Sequence, residues 1–118
     1  SISQISDEIG ELASLAKDRK LKVDQLKGAS FTISSLSGIG GKYFTPIINP
    51  PEVAILGLSK TYDNLSMMNN KITTLKQLPI SLSYDHRVIN GAYAAKFITE
   101  LSNQLKQIKL FKKTFKDS

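Results

Sequence analysis

The run Val53-Ala54-Ile55-Leu56-Gly57-Leu58 carries no polar residue and follows directly on Asn49-Pro50-Pro51. An alternating strand keeps one face for water, whereas an uninterrupted apolar strand must be covered on both sides, and the prolines upstream prevent the pattern from extending backwards. The chain has 118 residues, one small domain or part of one, so that strand must lie in a single modest core. A second constraint lies downstream. Leu78, Ile80, Leu82 and Tyr84 alternate with Pro79, Ser81 and Ser83, and from Ala92 onward Ala94, Phe97, Ile98, Leu101, Leu105 and Ile108 recur at helical spacing. A strand ends where a helix begins.

That junction, Ser83-Tyr84-Asp85-His86-Arg87-Val88-Ile89-Asn90-Gly91-Ala92, contains the only histidine of the chain. Imidazole has an unperturbed pKa near neutrality, so His86 is a candidate proton acceptor and donor at working pH. Asn90 and Gly91 are turn and helix-start residues able to fix the loop that aims it. The plainer alternative is a partly buried histidine satisfied by backbone at an ordinary strand-to-helix turn.

Upstream, Ile2, Ile5, Ile9, Leu12 and Ala16 mark an amphipathic helix running to the charged cluster Lys17-Asp18-Arg19-Lys20. With no cap evident before its first periodic residue, the chain is expected to begin inside an element. Val23 to Gly28 reads as a short helical turn closed by glycine, and Ser30 to Leu36 as a strand. In that strand Thr32 and Ser34 share a face opposite Phe31, Ile33 and Ser35, and exposed hydroxyls there can donate to an oxyanion or simply form a polar face. Gly38-Ile39-Gly40-Gly41-Lys42 is not a phosphate loop: Leu36 and Tyr43 occupy places where that motif needs glycine and Ser or Thr. It is read as a turn with a possible ligand contact through backbone. Asn64 to Asn70 reads as a hairpin loop and Lys71 to Tyr84 as the strand returning from it.

The absence of cysteine removes disulfide and thiolate chemistry, and one histidine with scattered carboxylates offers no metal-ligand spacing. No apolar run is long enough to span a bilayer, and Ser1-Ile2-Ser3-Gln4 lacks the pattern of a signal peptide, so neither a membrane nor secretion is expected. Of the formal charge of +6, Lys106, Lys109, Lys112, Lys113 and Lys116 cluster at the C-terminus as a solvated helix end. No basic segment is interleaved with aromatics, so nucleic acid is not expected as a partner.

Phe31-Thr32-Ile33-Ser34, then Thr45-Pro46-Ile47-Ile48-Asn49-Pro50-Pro51-Glu52-Val53-Ala54-Ile55-Leu56-Gly57, then the His86 segment, taken in order, closely resemble the acyltransferases of the 2-oxo acid dehydrogenase complexes. The likeness covers almost the whole chain and implies that residues 1–118 are the C-terminal portion of the family's catalytic domain, although Phe111 to Ser118 is more charged than the family's usual apolar ending; the wording is most like the pyruvate type from bacteria. The resemblance implies an α+β fold, a two-layer sandwich of helices on a mixed β-sheet as in chloramphenicol acetyltransferase, here incomplete. It implies acetyl transfer from dihydrolipoamide, carried on a lipoyl domain outside this chain, to coenzyme A. His86 falls on the family's His-x-x-x-Asp-Gly motif as the base, and Ser34 on its oxyanion-binding hydroxyl. Asn90 stands where the motif usually has Asp, and a neutral amide orients a loop by hydrogen bonds without an ion pair.

The family places the base and the hydroxyl residue in different subunits of a homotrimer, with trimers building a hollow core served by pyruvate dehydrogenase and dihydrolipoamide dehydrogenase components. A bacterial cytoplasm is the implied location, or a mitochondrial matrix. Three functions therefore compete: the acyltransferase, a non-catalytic core module acting in assembly, and a basic anion-binding domain.

Overall fold

The computed structural model describes residues 1–36 and 41–107, which form two units, Ser1–Ala29 with the chain from Phe97 onward, and Ser30–Lys96. The turn expected at Gly38-Ile39-Gly40 and the terminal lysines from Lys109 onward lie outside the described residues, as does Ile108.

In the first unit, α1 (Ile2–Lys17) follows the three- and four-residue spacing of its isoleucines. A cap does precede it, contrary to expectation. Ser1 Oγ accepts from Gln4 N at 3.3 Å and Ser1 N donates to Gln4 Oε1 at 2.9 Å, a reciprocal pair that satisfies two helix-end donors. The signal was in the sequence, a Ser three residues ahead of a Gln. Val23–Leu26 form a short 3-10 helix, and Gly28 follows at φ +88°, a conformation open to glycine at little cost.

The second unit contains two sheets. In the first, β1 (Thr32–Ser35), β2 (Ala54–Leu58) and β5 (Ile80–Tyr84) lie in the order β1-β2-β5, with β1 parallel and β5 antiparallel to β2. This mixed sheet with helices in the same chain is the α+β class expected. As its unbroken apolar run requires, β2 is central: Ala54, Ile55 and Leu56 are 5–6% exposed. Gly57 allows the Phe44 ring to lie on the sheet, since a Cβ there would stand 2.7 Å from Phe44 Cζ.

The second sheet is the antiparallel hairpin of β3 (Tyr62–Met68) and β4 (Lys71–Gln77). It corrects two expectations. Asn64 to Met68 are strand, not loop, and the turn is only Asn69-Asn70, at φ +53° and +62°. Two adjacent left-handed residues match the twist of the flanking strands, and asparagine tolerates that conformation. The expected return strand from Lys71 to Tyr84 is two strands in different sheets, separated at Leu78-Pro79. Pro79 has no N–H to continue a ladder, and its carbonyl instead accepts from Ser59 N at 3.1 Å, leading the chain over to β2. α2 (Gly91–Lys106) begins in this unit and continues into the first.

Candidate active site

Asp85 builds the loop that carries His86. Its N–H donates to Val53 O at 2.8 Å, tying the end of β5 to the approach to β2, and its carbonyl accepts from Val88 N at 3.0 Å and Ile89 N at 2.9 Å. Its carboxylate accepts from Arg87 N and Nε at 3.0 Å and from Nη2 at 2.8 Å, closing a turn in which side chain and backbone of one residue hold the same acid. Hydrogen bonds from the Arg87 side chain and backbone, with its charge, hold the Asp85 carboxyl at about 2, below its ordinary 3.8. The Arg87 guanidinium is raised in turn. Asp85 and Arg87 flank His86 in the sequence, but an acid and a base two residues apart carry no sequence signal for that reciprocal turn.

Asn90 ends the loop as the N-cap of α2. Its Oδ1 accepts from Tyr93 N at 2.8 Å and its carbonyl from Ala94 N at 3.1 Å, satisfying donors that a first helical turn leaves free. Asn90 thus fixes the start of the helix, while Asp85 holds the turn around His86.

The His86 imidazole is exposed and packs against the Tyr84 ring, centroids 5.6 Å apart at 35°. Among the described residues no hydrogen bond reaches it, and the neighbouring carboxylate binds Arg87. A side chain on Gly91 would begin 3.9 Å from His86 Nε2 and 3.5 Å from the Tyr84 hydroxyl, so the missing Cβ leaves the flank of Nε2 open. Tyr84 was visible in the sequence as a strand residue and not as a neighbour of the imidazole.

Ser34 lies elsewhere. Its register partners are Gly57 and, across β2, Ser81, whereas Tyr84 is paired with Ala54 toward the other end of β2. Three rungs, about 10 Å, separate the Ser34 row from Tyr84 before the chain has reached His86. One chain therefore brings His86 and Asn90 together but not Ser34. The hydroxyl face of β1 is also not open: Thr32 and Ser34 are half-buried while Ile33 opposite is 62% exposed. The cause is the segment before β2, from which Phe44 covers Gly57 and Glu52 Oε1 accepts the Thr32 hydroxyl at 2.6 Å. With Thr32 engaged, Ser34 is the hydroxyl of that face without a side-chain hydrogen bond to a described residue. Two clefts, of about 270 and 300 Å³, open in this unit, and neither is lined by His86 or Ser34. Among the described residues no group of three or more His, Cys, Asp or Glu could hold a metal ion.

The described residues thus set an exposed imidazole on a strand-to-helix loop and a hydroxyl without a side-chain hydrogen bond to a described residue on another strand of the same mixed sheet. The model of the 2-oxoacid dehydrogenases acyltransferase catalytic domain matches residues 1–112, and the chain belongs to that family. It is 53% identical over 105 residues to the dihydrolipoyllysine-residue acetyltransferase component of the pyruvate dehydrogenase complex of Buchnera aphidicola (subsp. Acyrthosiphon pisum), covering 89% of this chain and 26% of the relative. To the same component from Cupriavidus necator it is 55% identical over 98 residues, 83% of this chain and 18% of the relative. The chain thus spans about a quarter or less of these curated relatives. Among solved structures, the dihydrolipoamide acetyltransferase of Azotobacter vinelandii superposes with a TM-score of 0.85 at 49% identity, over 93% of this chain and 45% of that one. The cubic core of a pyruvate dehydrogenase multienzyme complex does so with the same TM-score and coverage at 50% identity.

Proposed function

We propose that residues 1–118 are the C-terminal portion of the catalytic domain of a dihydrolipoyllysine-residue acetyltransferase, which moves an acetyl group from S-acetyldihydrolipoamide to coenzyme A in a pyruvate dehydrogenase complex. One observation carries this reading beyond the family. In the A. vinelandii enzyme, a serine, a histidine and an asparagine whose role in the catalytic mechanism was investigated stand 52 and 4 positions apart, the spacings of Ser34, His86 and Asn90 here. That relative also has asparagine where the family motif usually has aspartate.

The chemistry follows from the side chains. His86 takes the proton of the coenzyme A thiol, and the thiolate attacks the thioester carbonyl. The tetrahedral oxyanion accepts a hydrogen bond from the Ser34 hydroxyl, worth most in the transition state. Collapse breaks the bond to the dihydrolipoamide sulfur, which leaves with the proton held by the imidazolium. Coenzyme A and the lipoyl group are substrates, the latter carried on a separate domain. Since one chain holds His86 and Ser34 apart, the site is completed between copies, in a homotrimer that builds a larger core and works with the pyruvate dehydrogenase and dihydrolipoamide dehydrogenase components. The bacterial relatives support a bacterial cytoplasmic location.

The same separation favours a second reading, a core module that assembles without turning over. Acetyl transfer by the full-length protein decides between them. His86→Ala is expected to lower it about a hundredfold or more while the core stays assembled. Activity within about threefold of wild type would remove His86 as the base.

A further inference from the structure

A histidine that moves protons is ordinarily held by a hydrogen bond from one ring nitrogen to a carboxylate or carbonyl, which fixes the tautomer and frees the other nitrogen for the substrate. Within the protomer His86 has no such support. No hydrogen bond from a described residue reaches the imidazole, and the carboxylate beside it in sequence accepts three from Arg87. The group that does meet the ring is Tyr84, with centroids 5.6 Å apart and planes tilted by 35°, within the range of attractive aromatic pairs.

The tyrosine is the fixed member of this pair. It is the last residue of β5, in register with the buried Ala54 of the central strand, and the next N–H along the chain, that of Asp85, donates to Val53 O at 2.8 Å. Tyr84 is half-buried, whereas His86 is exposed. A Cβ on Gly91 would lie 3.5 Å from the Tyr84 hydroxyl and 3.9 Å from His86 Nε2, so both groups border the space in front of that glycine.

We infer that Tyr84 is a positioning residue, its ring holding the imidazole so that Nε2 borders the space in front of Gly91. The ring acts and not the hydroxyl, which makes no hydrogen bond to a described residue. A ring pair biases a neighbouring side chain by up to about tenfold in population, and a base misplaced by about 1 Å loses more than that in proton transfer. The consequence for transfer rests on His86 being the base proposed above; the hold on the imidazole does not.

The test uses the full-length protein with ring-labelled histidine, the His86 resonances being assigned by NMR from their loss in His86→Ala. Wild type and Tyr84→Phe are expected to show the same ring-current displacement of these resonances. Tyr84→Val keeps strand propensity without the ring and is expected to move them toward the positions of a free histidine. In acetyl transfer, Tyr84→Val is expected to lower kcat about tenfold with KM for coenzyme A within about twofold of wild type, and Tyr84→Phe to restore kcat to within about twofold. Tyr84→Leu gives the same readouts if the valine variant does not assemble. Unmoved resonances in the variant without a ring, or a phenylalanine variant as impaired as it, would overturn the inference. Resonances that move with kcat unchanged, in a protein inactivated by His86→Ala, would overturn the part of Tyr84 in transfer. Full activity of His86→Ala would instead remove the base, while displaced resonances in Tyr84→Val would still show that the ring holds the imidazole.

Discussion

Asn90 acts on α2 through its side-chain oxygen, which accepts from Tyr93 N. Aspartate offers the same acceptor and suits the positive end of a helix, so Asn90→Asp is expected to retain stability and substantial activity. Asn90→Leu is nearly the same size without the acceptor, and urea unfolding of the full-length protein should show a loss of about 1 kcal/mol with reduced transfer. Equal stability and activity in wild type and the leucine variant would make this position an ordinary turn. Four residues earlier, Asp85 has its folded pKa depressed to about 2 from 3.8, so the stabilisation of its charged form is present above pH 3.8 and is lost as pH falls toward 2. The effect on stability is small because the Arg87 side chain is 89% exposed. The titration is the sharper observable: Arg87→Gln should return the Asp85 carboxyl toward 3.8 by NMR, and an unmoved titration would assign the shift to another cause.

β2 was legible as a doubly covered strand because its pattern has no polar face, but what covers it was not. Phe44 is the cover at Gly57. Gly57→Ala should therefore destabilise by overpacking, about 1–3 kcal/mol, with partial recovery when Phe44→Leu is added. Additive losses in the double variant would show that the ring moves away freely. Asn64 to Met68, expected as loop, are strand in β3, and pairing with β4 makes them so. Leu65, Met67 and Ile72 then fall on one face of the hairpin and remain 71–75% exposed, an outcome that single-strand patterning does not reveal.

Across the whole molecule, Ser34 and His86 stand on opposite reaches of one mixed sheet, and the proposed site is complete only when two copies share it. Mixing decides this. Assembled separately, Ser34→Ala and His86→Ala proteins are each expected to be nearly inactive. Co-assembled in equal amounts by random exchange, about a quarter of the sites should regain both residues and turn over, as symmetry between protomers requires. A mixture as inactive as its components would place both residues in one chain's site or none.

The sequence by itself determined the strand-to-helix junction, the histidine on it, the asparagine that begins α2, the central strand and the helical stripe of α1, because each rests on local periodicity or on the chemistry of neighbouring residues. Only the tertiary structure decided the rest. A parallel β1 and an antiparallel β5 on the same β2 set which end of the sheet receives His86 and which receives Ser34, a matter of strand direction that no residue pattern encodes. Glu52, well separated in sequence from Thr32, engages the Thr32 hydroxyl of β1 and not that of Ser34. Each of these depends on contacts between distant segments, and those are set by packing and register after the local elements have formed.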